Sequence, residues 1–373
     1  MNKVRYGLIG YGKIGSQHVK GLLGGAVKNL DLVAIADTNP ERLKAAVEAV
    51  GPSLKTFDSA EALIASGCVD AIHICTPHYF HPVYAIKGLE AGLNVMVEKP
   101  AGVYTKQVKE MNAVAAKAGK VFGVMFNQRT NPVYQKVREL INEGELGQVT
   151  RTNWIITNWF RAQSYYDQGD WRATWGGEGG GVLLNQNPHN LDLFQWICGM
   201  PSRVKSVVYY GKHRDIEVED DVYAIFEYPN GATGCYITTI ADAPGTNRLE
   251  ITGENGKIVV EDNTIVFSRL RESVTSFNQR FKGGIGQPEC WRIEVPTKGT
   301  YTSHMGIIQN FCDAIQKGTP LMAPGEEGIN GLEISNAIHL SSWLGENWVD
   351  IPVDDDLFYD KLKEHIDRER KNR

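Results

Sequence analysis

Three consecutive residues, Glu98, Lys99 and Pro100, carry the strongest chemical signal in the sequence. They follow the apolar run 94–97, which predicts a buried strand. A glycine-rich hexapeptide lies upstream, where a strand should turn into a helix: Gly10, Tyr11, Gly12, Lys13, Ile14 and Gly15. In an open parallel sheet, ligands bind in the crevice beyond the carboxyl ends of the strands. We therefore expect the Lys99 ammonium to face the reacting end of a dinucleotide, a position suited to hydride transfer.

The glycine spacing is typical of a dinucleotide-binding turn, because each glycine has a separate task. Gly10 permits a tight turn, Gly12 lets the backbone approach a pyrophosphate, and Gly15 lets the helix pack closely on the sheet. The phosphates would then lie at the amino terminus of that helix. A glycine-rich turn with a purely structural role is the alternative.

An acidic residue, Asp37, ends the second predicted strand. Its carboxylate can accept hydrogen bonds from both hydroxyls of an adenine ribose and would repel a 2′-phosphate, which favours NAD over NADP. Arg42, in the following helix, would soften that preference. The alternative is that Asp37 caps this helix, although Asn39 already supplies a cap before Pro40.

A second loop at the same sheet edge follows the third predicted strand. Pro77 would stiffen this loop beneath a nicotinamide, and we expect Thr76, Pro77 and His81 to contact the cofactor. His81 would hold a ribose or a backbone carbonyl, whereas isolated histidines more often have structural roles. His78 and His81 are three residues apart but have no third ligand nearby in the sequence, so no metal site is predicted.

The first third of the chain alternates strand and helix signals, which require a doubly wound parallel sheet with helices on both faces. The predicted strands are Val4–Gly10, Leu32–Asp37, Ala71–Cys75, Asn94–Glu98 and Val121–Phe126. After residue 127, period-2 segments between turn signals predict an antiparallel meander. We therefore predict a dinucleotide-binding domain over 1–126 and an α/β domain with a mainly antiparallel sheet over 127–373. The charged tail, 361–373, is expected to be a solvated or frayed end.

Length and composition narrow the class of protein. The 373 residues indicate two domains, and the net charge of -5 without a basic stripe argues against a nucleic-acid partner. Apolar runs fall short of a membrane span, and a core strand begins too close to Met1 for a signal peptide. None of the six cysteines forms a C-x-x-C pair. We therefore expect the cysteines to be buried, reduced thiols of a protein in a reducing cytoplasm.

With these residues assembled, the sequence resembles the Gfo/Idh/MocA oxidoreductase family over nearly its whole length. The motifs that carry the resemblance are the glycine fingerprint, Thr76–Pro100, Asn127–Arg129, Gly179–Asp192 and Asn310–Trp343. The resemblance implies a Rossmann domain, a second domain built on a large antiparallel sheet, and a homodimer or homotetramer paired through that sheet. It also implies a cis Lys99–Pro100 bond and cofactor contacts by Glu98, Lys99 and Asn127.

The resemblance assigns the proton chemistry to Lys99 and His189. The family lysine contacts the reacting hydroxyl or carbonyl and relays its proton, and a nicotinamide cation nearby would lower the pKa of that lysine. Pro188 places His189 in the first turn of a helix, where imidazole is biased toward the neutral form that a general base needs. Structural roles are the alternative for both residues.

Asn185 departs from the family pattern, in which many relatives carry an aspartate four residues before the histidine. An amide can position a substrate hydroxyl, but it cannot stabilise an imidazolium. Either His189 works with a lowered pKa, or the proton runs mainly through Lys99. Asp192, one turn later, either orients the ring or stabilises the helix end.

Aromatic residues concentrate between positions 154 and 175, with charged residues between them. Flat rings beside hydrogen-bonding groups suit the apolar faces and hydroxyl edges of a pyranose or a cyclitol. The expected substrate-binding residues are Lys99, Trp171, Arg172, Asn185 and His189. Core packing is the alternative for these rings and must hold for some of them, since Trp154 shares a strand face with Ile156. Arg172 could instead reach a cofactor phosphate.

The sequence therefore predicts an NAD-dependent oxidoreductase that acts on a secondary alcohol of a sugar, glycoside or inositol. One alternative is an enzyme that retains NAD and uses transient oxidation for a redox-neutral step, such as epimerisation or glycoside cleavage. Another is a non-catalytic NAD-binding regulator on the same scaffold. Fold analogy alone does not separate these functions.

Overall fold

The computed structural model describes residues 2–169 and 171–372. The elements up to residue 124 are β1 (Val4–Ile9), α1 (Lys13–Leu23), β2 (Leu30–Ala36), α2 (Pro40–Val50), β3 (Lys55–Phe57), α3 (Ala60–Ala65), β4 (Ala71–Ile74), α4 (Phe80–Glu90), β5 (Asn94–Val97), α5 (Thr105–Ala118) and β6 (Phe122–Val124). Their six strands form one sheet in the order β3-β2-β1-β4-β5-β6, and every neighbouring pair is parallel.

This sheet confirms the predicted doubly wound parallel architecture. Its core forms as expected from the apolar strand patterns, with Leu8, Val19, Ile35 and Ala46 buried in one cluster between the sheet and its helices. The edge strand β3 was not predicted. Its residues are exposed or half-buried, so it lacks the apolar run that marks the inner strands.

The remaining elements are α6 (Pro132–Asn142), β7 (Val149–Ile156), α7 (Gln163–Tyr166), a π-helix (Val182–Gln186), α8 (Pro188–Cys198), β8 (Arg203–Tyr210), β9 (Glu219–Glu227), β10 (Thr233–Thr239), β11 (Asn247–Gly253), β12 (Gly256–Glu261), β13 (Thr264–Leu270), α9 (Val274–Arg280), β14 (Cys290–Val295), α10 (Ser303–Lys317), α11 (Gly328–Trp343), β15 (Val349–Asp350) and α12 (Asp355–Asn372). Two 3-10 helices cover Asn127–Thr130 and Gly325–Glu327.

The second sheet has nine strands in the order β14-β13-β12-β11-β7-β10-β9-β8-β15. It is mostly antiparallel, as predicted, but the expectation of a simple antiparallel meander is wrong at its centre. There β7 and β10 pair in parallel, with Trp154 opposite Tyr236. The chain segment between β7 and β10 is long enough to return in the same direction, and local turn signals do not reveal such a crossover.

The tail is not frayed, because α12 continues to Asn372, but most of its charged residues are exposed, as expected for a solvated end. Phe358 and Leu362 lie four residues apart and are almost fully buried, as is Glu369 further along the helix. One mainly apolar face therefore holds the helix in place, while most of its charged residues face solvent.

The described chain forms two compact units. The first extends to Thr130 and includes Gly177–Gly179 and Thr302–Leu332; the second comprises Asn131–Gly176, Gly180–Tyr301 and the residues from Glu333 onward. In the first unit, Gln309 of α10 donates a hydrogen bond to Asn29 at 2.7 Å. The predicted boundary after residue 126 stays a prediction. Among the described residues, no helix has the length and apolar character needed to cross a bilayer.

Candidate active site

The glycine fingerprint forms the turn between β1 and α1. Gly10 has a φ of 97°, and a Cβ added there would lie 2.7 Å from the carbonyl oxygen of Cys75. A Cβ at Gly15 would lie 2.1 Å from the carbonyl oxygen of Gly10. At Gly12, by contrast, an added Cβ would meet no described atom within 4 Å. Two glycines are therefore required by the fold, and the third faces open space beside the amino terminus of α1, where a pyrophosphate fits.

Asp37 lies directly after β2 and is 7 % exposed. One carboxylate oxygen accepts a hydrogen bond from the Tyr11 amide at 2.7 Å, and the other accepts one from the Asn39 amide at 2.8 Å. Asn39 itself caps α2 by accepting from the Glu41 amide, as predicted. Arg42 is exposed, and its guanidinium lies 3.6 Å from the Asp37 carboxylate. Asp37 thus links the fingerprint to the end of β2, where a ribose would bind.

The loop after β4 approaches the same sheet edge, since Thr76 and Pro77 follow Cys75, the residue that Gly10 closely approaches. His81, in the first turn of α4, faces this loop and is almost fully buried. Its Nε2 lies 2.7 Å from the Thr76 carbonyl oxygen, and its Nδ1 lies 2.7 Å from that of Pro100. Of the two contacts considered for His81, the structure shows the one with backbone carbonyls. Cofactor contacts by Thr76, Pro77 and His81 stay predictions.

Lys99 follows β5, and its bond to Pro100 is cis, as the resemblance implied. The preceding residue, Glu98, is 4 % exposed. One of its oxygens lies 2.6 Å from His18 Nε2, and the other accepts a hydrogen bond from the Lys99 amide at 3.3 Å. The Glu98 carboxylate therefore holds the backbone of Lys99. The predicted contacts of Glu98 and Lys99 with the cofactor stay predictions.

His18, His73, Cys75 and Glu98 form a fully buried cluster whose potential ligand atoms all lie within 4.8 Å of one another. Burial lowers the pKa of His73 to about 4. Burial also opposes ionisation of Glu98, but the His18 ring at 2.6 Å and the His73 ring, whose Nε2 lies 3.5 Å away, outweigh it and hold the pKa of this carboxyl well below its usual range. The donor types would suit a metal ion, yet His18 and Glu98 lie at hydrogen-bonding distance from each other.

Sequence spacing did not reveal this cluster, because its members come from α1, β4 and the end of β5. The one local signal is the spacing of His73 in β4 and Cys75 directly after it, because residues two apart in extended chain point to the same side. Asn127 lies in the neighbouring 3-10 helix, is 5 % exposed, and donates a hydrogen bond to Ser303 Oγ at 3.0 Å. Its predicted contact with the cofactor also stays a prediction.

Asn185 and His189 belong to the second compact unit. Asn185 lies in the π-helix, and His189 lies in the first turn of α8, whose predicted start at Pro188 is confirmed. The fully buried Glu219 accepts hydrogen bonds from the amides of Gly181 at 2.7 Å and Leu183 at 2.9 Å. This carboxylate fixes the start of the segment that carries Asn185. Sequence analysis missed Glu219 because it lies more than thirty residues away, in β9.

The aromatic segment divides into core and surface. Trp154 is fully buried and Trp175 is 3 % exposed, so the core-packing alternative holds for both. Trp171 is 37 % exposed, and the Arg172 guanidinium lies 4.7 Å from the centre of its ring. Arg172 also donates a hydrogen bond to the Tyr165 hydroxyl at 2.9 Å. Substrate contacts by Trp171 and Arg172 stay predictions.

The parallel sheet, the glycine turn open to a pyrophosphate, and the acid after β2 together define a dinucleotide-binding oxidoreductase fold. A model of the oxidoreductase family with an NAD-binding Rossmann fold matches residues 4–126, and a model of the GFO/IDH/MocA C-terminal domain matches residues 134–259. The chain belongs to the Gfo/Idh/MocA family and is an NAD-binding oxidoreductase.

Two similar proteins are dehydrogenases of known name. The chain is 25 % identical to inositol 2-dehydrogenase of Rhizobium meliloti (strain 1021) over 340 residues, which is 90 % of this chain and 95 % of that protein. It is 29 % identical to D-glucoside 3-dehydrogenase of Escherichia coli (strain K12) over 221 residues, 54 % of this chain and 61 % of that protein.

A solved structure of similar fold contains a cofactor. It is the WlbA dehydrogenase of Chromobacterium violaceum in complex with NADH and UDP-GlcNAcA. The TM-score is 0.81 at 28 % identity, and the match covers 95 % of this chain and 97 % of that one.

Proposed function

We propose that this enzyme transfers a hydride between C4 of nicotinamide and a secondary alcohol or ketone of a sugar, glycoside or inositol. The observation that carries the proposal is the position of Lys99. It follows β5 in the sheet whose strand β1 ends in the glycine turn, so residue 99 and the fingerprint belong to the same sheet edge. The names of the relatives support the substrate class.

In this proposal the bound NAD supplies a hydride acceptor, and the side chains supply the proton chemistry. Lys99 contacts the reacting oxygen and carries its proton as the alcohol becomes a ketone. His189, in the first turn of α8, acts with Lys99 as a general base. Asn185 positions a substrate hydroxyl through its amide. Trp171 and Arg172 contribute to substrate binding.

A substrate screen tests the proposal. The purified enzyme is mixed with NAD and a panel of sugars, cyclitols and glycosides, and NADH formation is followed by absorbance. Turnover of at least one polyol supports the proposal. NAD that remains bound through purification, with product formed but no net NADH, would instead show a redox-neutral enzyme. A protein that binds NAD and converts no member of the panel would be a regulator.

We expect Asn185→Asp to move the acidic limb of the pH profile of kcat/KM to higher pH by about one unit. A carboxylate near His189 favours the imidazolium, so the pKa of the base rises and a higher pH is needed to deprotonate it. The measurement is kcat/KM against pH for the wild type and the variant. Asn142→Asp, at the exposed end of α6, is the control. An unchanged profile would argue against electrostatic coupling of positions 185 and 189.

We also propose that the enzyme forms a homodimer through the nine-stranded sheet. Its outer face carries an apolar patch, here called the outer sheet patch, that consists of Ile155, Val207, Tyr209, Tyr223, Ile225, Cys235 and Ile237. Tyr223 pairs with both Val207 and Ile237, and Ile237 pairs with Ile155, so the patch is continuous across four strands. Tyr223 is 44 % exposed and Ile225 is 47 % exposed. An exposed apolar face of this kind is typical of a surface that a second copy covers.

Ile225→Lys is expected to convert the dimer into a monomer of 41.4 kDa, because the interface would bury an unpaired ammonium on each side. Size-exclusion chromatography with light scattering measures the mass. Thr264→Lys, at an exposed position outside the patch, should leave the mass of the dimer unchanged. If the wild type is itself a monomer at micromolar concentration, the dimer proposal is wrong.

We propose a cytoplasmic location as well. All six cysteines are free thiols, and Cys75 and Cys312 are buried. Free thiols of this kind are usual in a reducing compartment.

A further inference from the structure

Two histidines hold the residues on either side of Lys99. His18 lies 2.6 Å from the carboxylate of Glu98, the residue before the lysine. His81 lies 2.7 Å from the carbonyl oxygen of Pro100, the residue after it. His81 also reaches the Thr76 carbonyl oxygen at 2.7 Å with its other ring nitrogen. The His81 ring therefore connects the loop after β4 to the turn after β5.

These two contacts constrain the protonation of His81. A carbonyl oxygen only accepts hydrogen bonds, so each ring nitrogen must donate one. A neutral imidazole has a single N–H, whereas an imidazolium has two. In the neutral form, one nitrogen lone pair would face a carbonyl oxygen at 2.7 Å. The residue is 1 % exposed, so water has little access to relieve that repulsion.

The groups around His81 shift its pKa in opposite directions. Burial is the largest influence and holds the pKa of His81 below its ordinary value, although the bonds to Pro100 and Thr76 and the charge of Glu98 act to raise it. The geometry argues the other way, because two carbonyl oxygens at 2.7 Å leave no acceptor position for an unprotonated ring nitrogen. The Lys99 ammonium opposes the cation. The other neighbouring ring is His78, whose centre lies 5.8 Å from that of His81. The buried Glu98 carboxylate is the anion that can compensate a charged His81.

We propose that His81 is a positioning residue for Lys99, a buried imidazolium that ties the Pro100 carbonyl to the Thr76 carbonyl. This role rests on the proposed function, in which the Lys99 amine meets the reacting oxygen. The ring has both nitrogens committed to protein carbonyls, so it does not bind a ribose hydroxyl. It fixes the position of the turn that carries Lys99 relative to the loop after β4, which is predicted to lie beneath the nicotinamide.

Nitrogen NMR tests the protonation without any substrate. Protein labelled with ¹⁵N-histidine contains nine such residues, and at about pH 7.5 exposed histidines are largely neutral. We expect one ring to keep both nitrogens in the protonated range, and its signals to disappear in His81→Gln. His73, whose pKa burial lowers to about 4, is an internal example of a buried neutral ring. A neutral tautomer at His81 would overturn the proposal.

Kinetics test the positioning. In His81→Gln we expect kcat to fall about 10- to 100-fold, since a displacement of about 1 Å in a reacting group can have such an effect. The Kd for NAD should stay within about threefold of that of the wild type. A weaker Kd with unchanged kcat would show a cofactor-binding role and contradict the proposal. His213→Gln, beside Asp221 in the second unit, is the control and should match the wild type.

The two proposals fail in different ways. If the wild type converts no alcohol, the proposed function is wrong. The nitrogen spectrum still decides whether His81 is an imidazolium that bridges the two carbonyls. If His81→Gln does not fold, His81→Asn serves as the second variant. The spectrum of the wild type alone remains decisive, because the absence of any doubly protonated ring at this pH overturns the proposal.

Discussion

Lys99→Met is expected to lower kcat/KM for the alcohol substrate about 1000-fold. Methionine has nearly the length of lysine and keeps the apolar stem, but it has no group to carry the proton of the reacting oxygen. The Glu98 carboxylate bonds to the backbone amide of residue 99, and this bond does not depend on the side chain. The local fold should therefore persist, and the loss should fall mainly on kcat. Steady-state kinetics with the substrate found in the screen measure it.

Two measurements separate this outcome from a general loss of structure. The Kd for NAD, from quenching of protein fluorescence, should change little in Lys99→Met, because the phosphates bind at the glycine turn. Lys117→Met, on an exposed part of α5, should retain the activity of the wild type. Undiminished turnover by Lys99→Met would remove the basis of the proposed mechanism.

Gly12→Ala is expected to weaken NAD binding about 100-fold while leaving thermal stability almost unchanged. In the structure the added Cβ would meet no described atom within 4 Å, so the protein should fold as before. The same methyl group would occupy the space where the backbone approaches the pyrophosphate. Isothermal titration calorimetry gives the affinity, and the Tm without NAD reports on the fold.

Gly15→Ala is the matched comparison, and we expect the opposite pattern. Its Cβ would lie 2.1 Å from the Gly10 carbonyl oxygen, and rigid backbone cannot move aside at low cost. Stability without NAD should fall by about 1–3 kcal/mol, the usual range for overpacking. If Gly12→Ala bound NAD as tightly as the wild type, the pyrophosphate would not lie against this turn, and the proposed cofactor site would be wrong.

The parts of the site that sequence predicted are those encoded locally. The glycine turn, the acid after β2 and the lysine after β5 each sit at a fixed offset from an apolar strand, so their place at the sheet edge follows from topology alone. The start of α8 at Pro188 was likewise predicted from proline at the first helical position. In these cases the residue, its element and its neighbours in the chain all indicate the same structure.

Longer-range features were not encoded in any single segment. The parallel pairing of β7 with β10 joins strands more than seventy residues apart, and turn signals say nothing about it. Glu219, in β9, reaches the amides of Gly181 and Leu183 at the start of the π-helix. The sequence of α12 is dominated by charged residues and did not predict a buried face. The packing of the helix in the structure shows that face.

The sequence by itself determined the class of fold and the cofactor, and it predicted Lys99 as the reactive residue, because each depends on residue type and spacing along one strand and its loop. Only the tertiary structure decided what holds the residues on either side of Lys99: His18 on Glu98, His73 close to the same carboxylate, and His81 between two carbonyls. These groups meet because α1, β4, α4 and the turn after β5 pack together. Burial then removes water, so His18, His81 and Glu98 find hydrogen-bond partners within the protein, whereas the two ring nitrogens of His73 have none among the described residues.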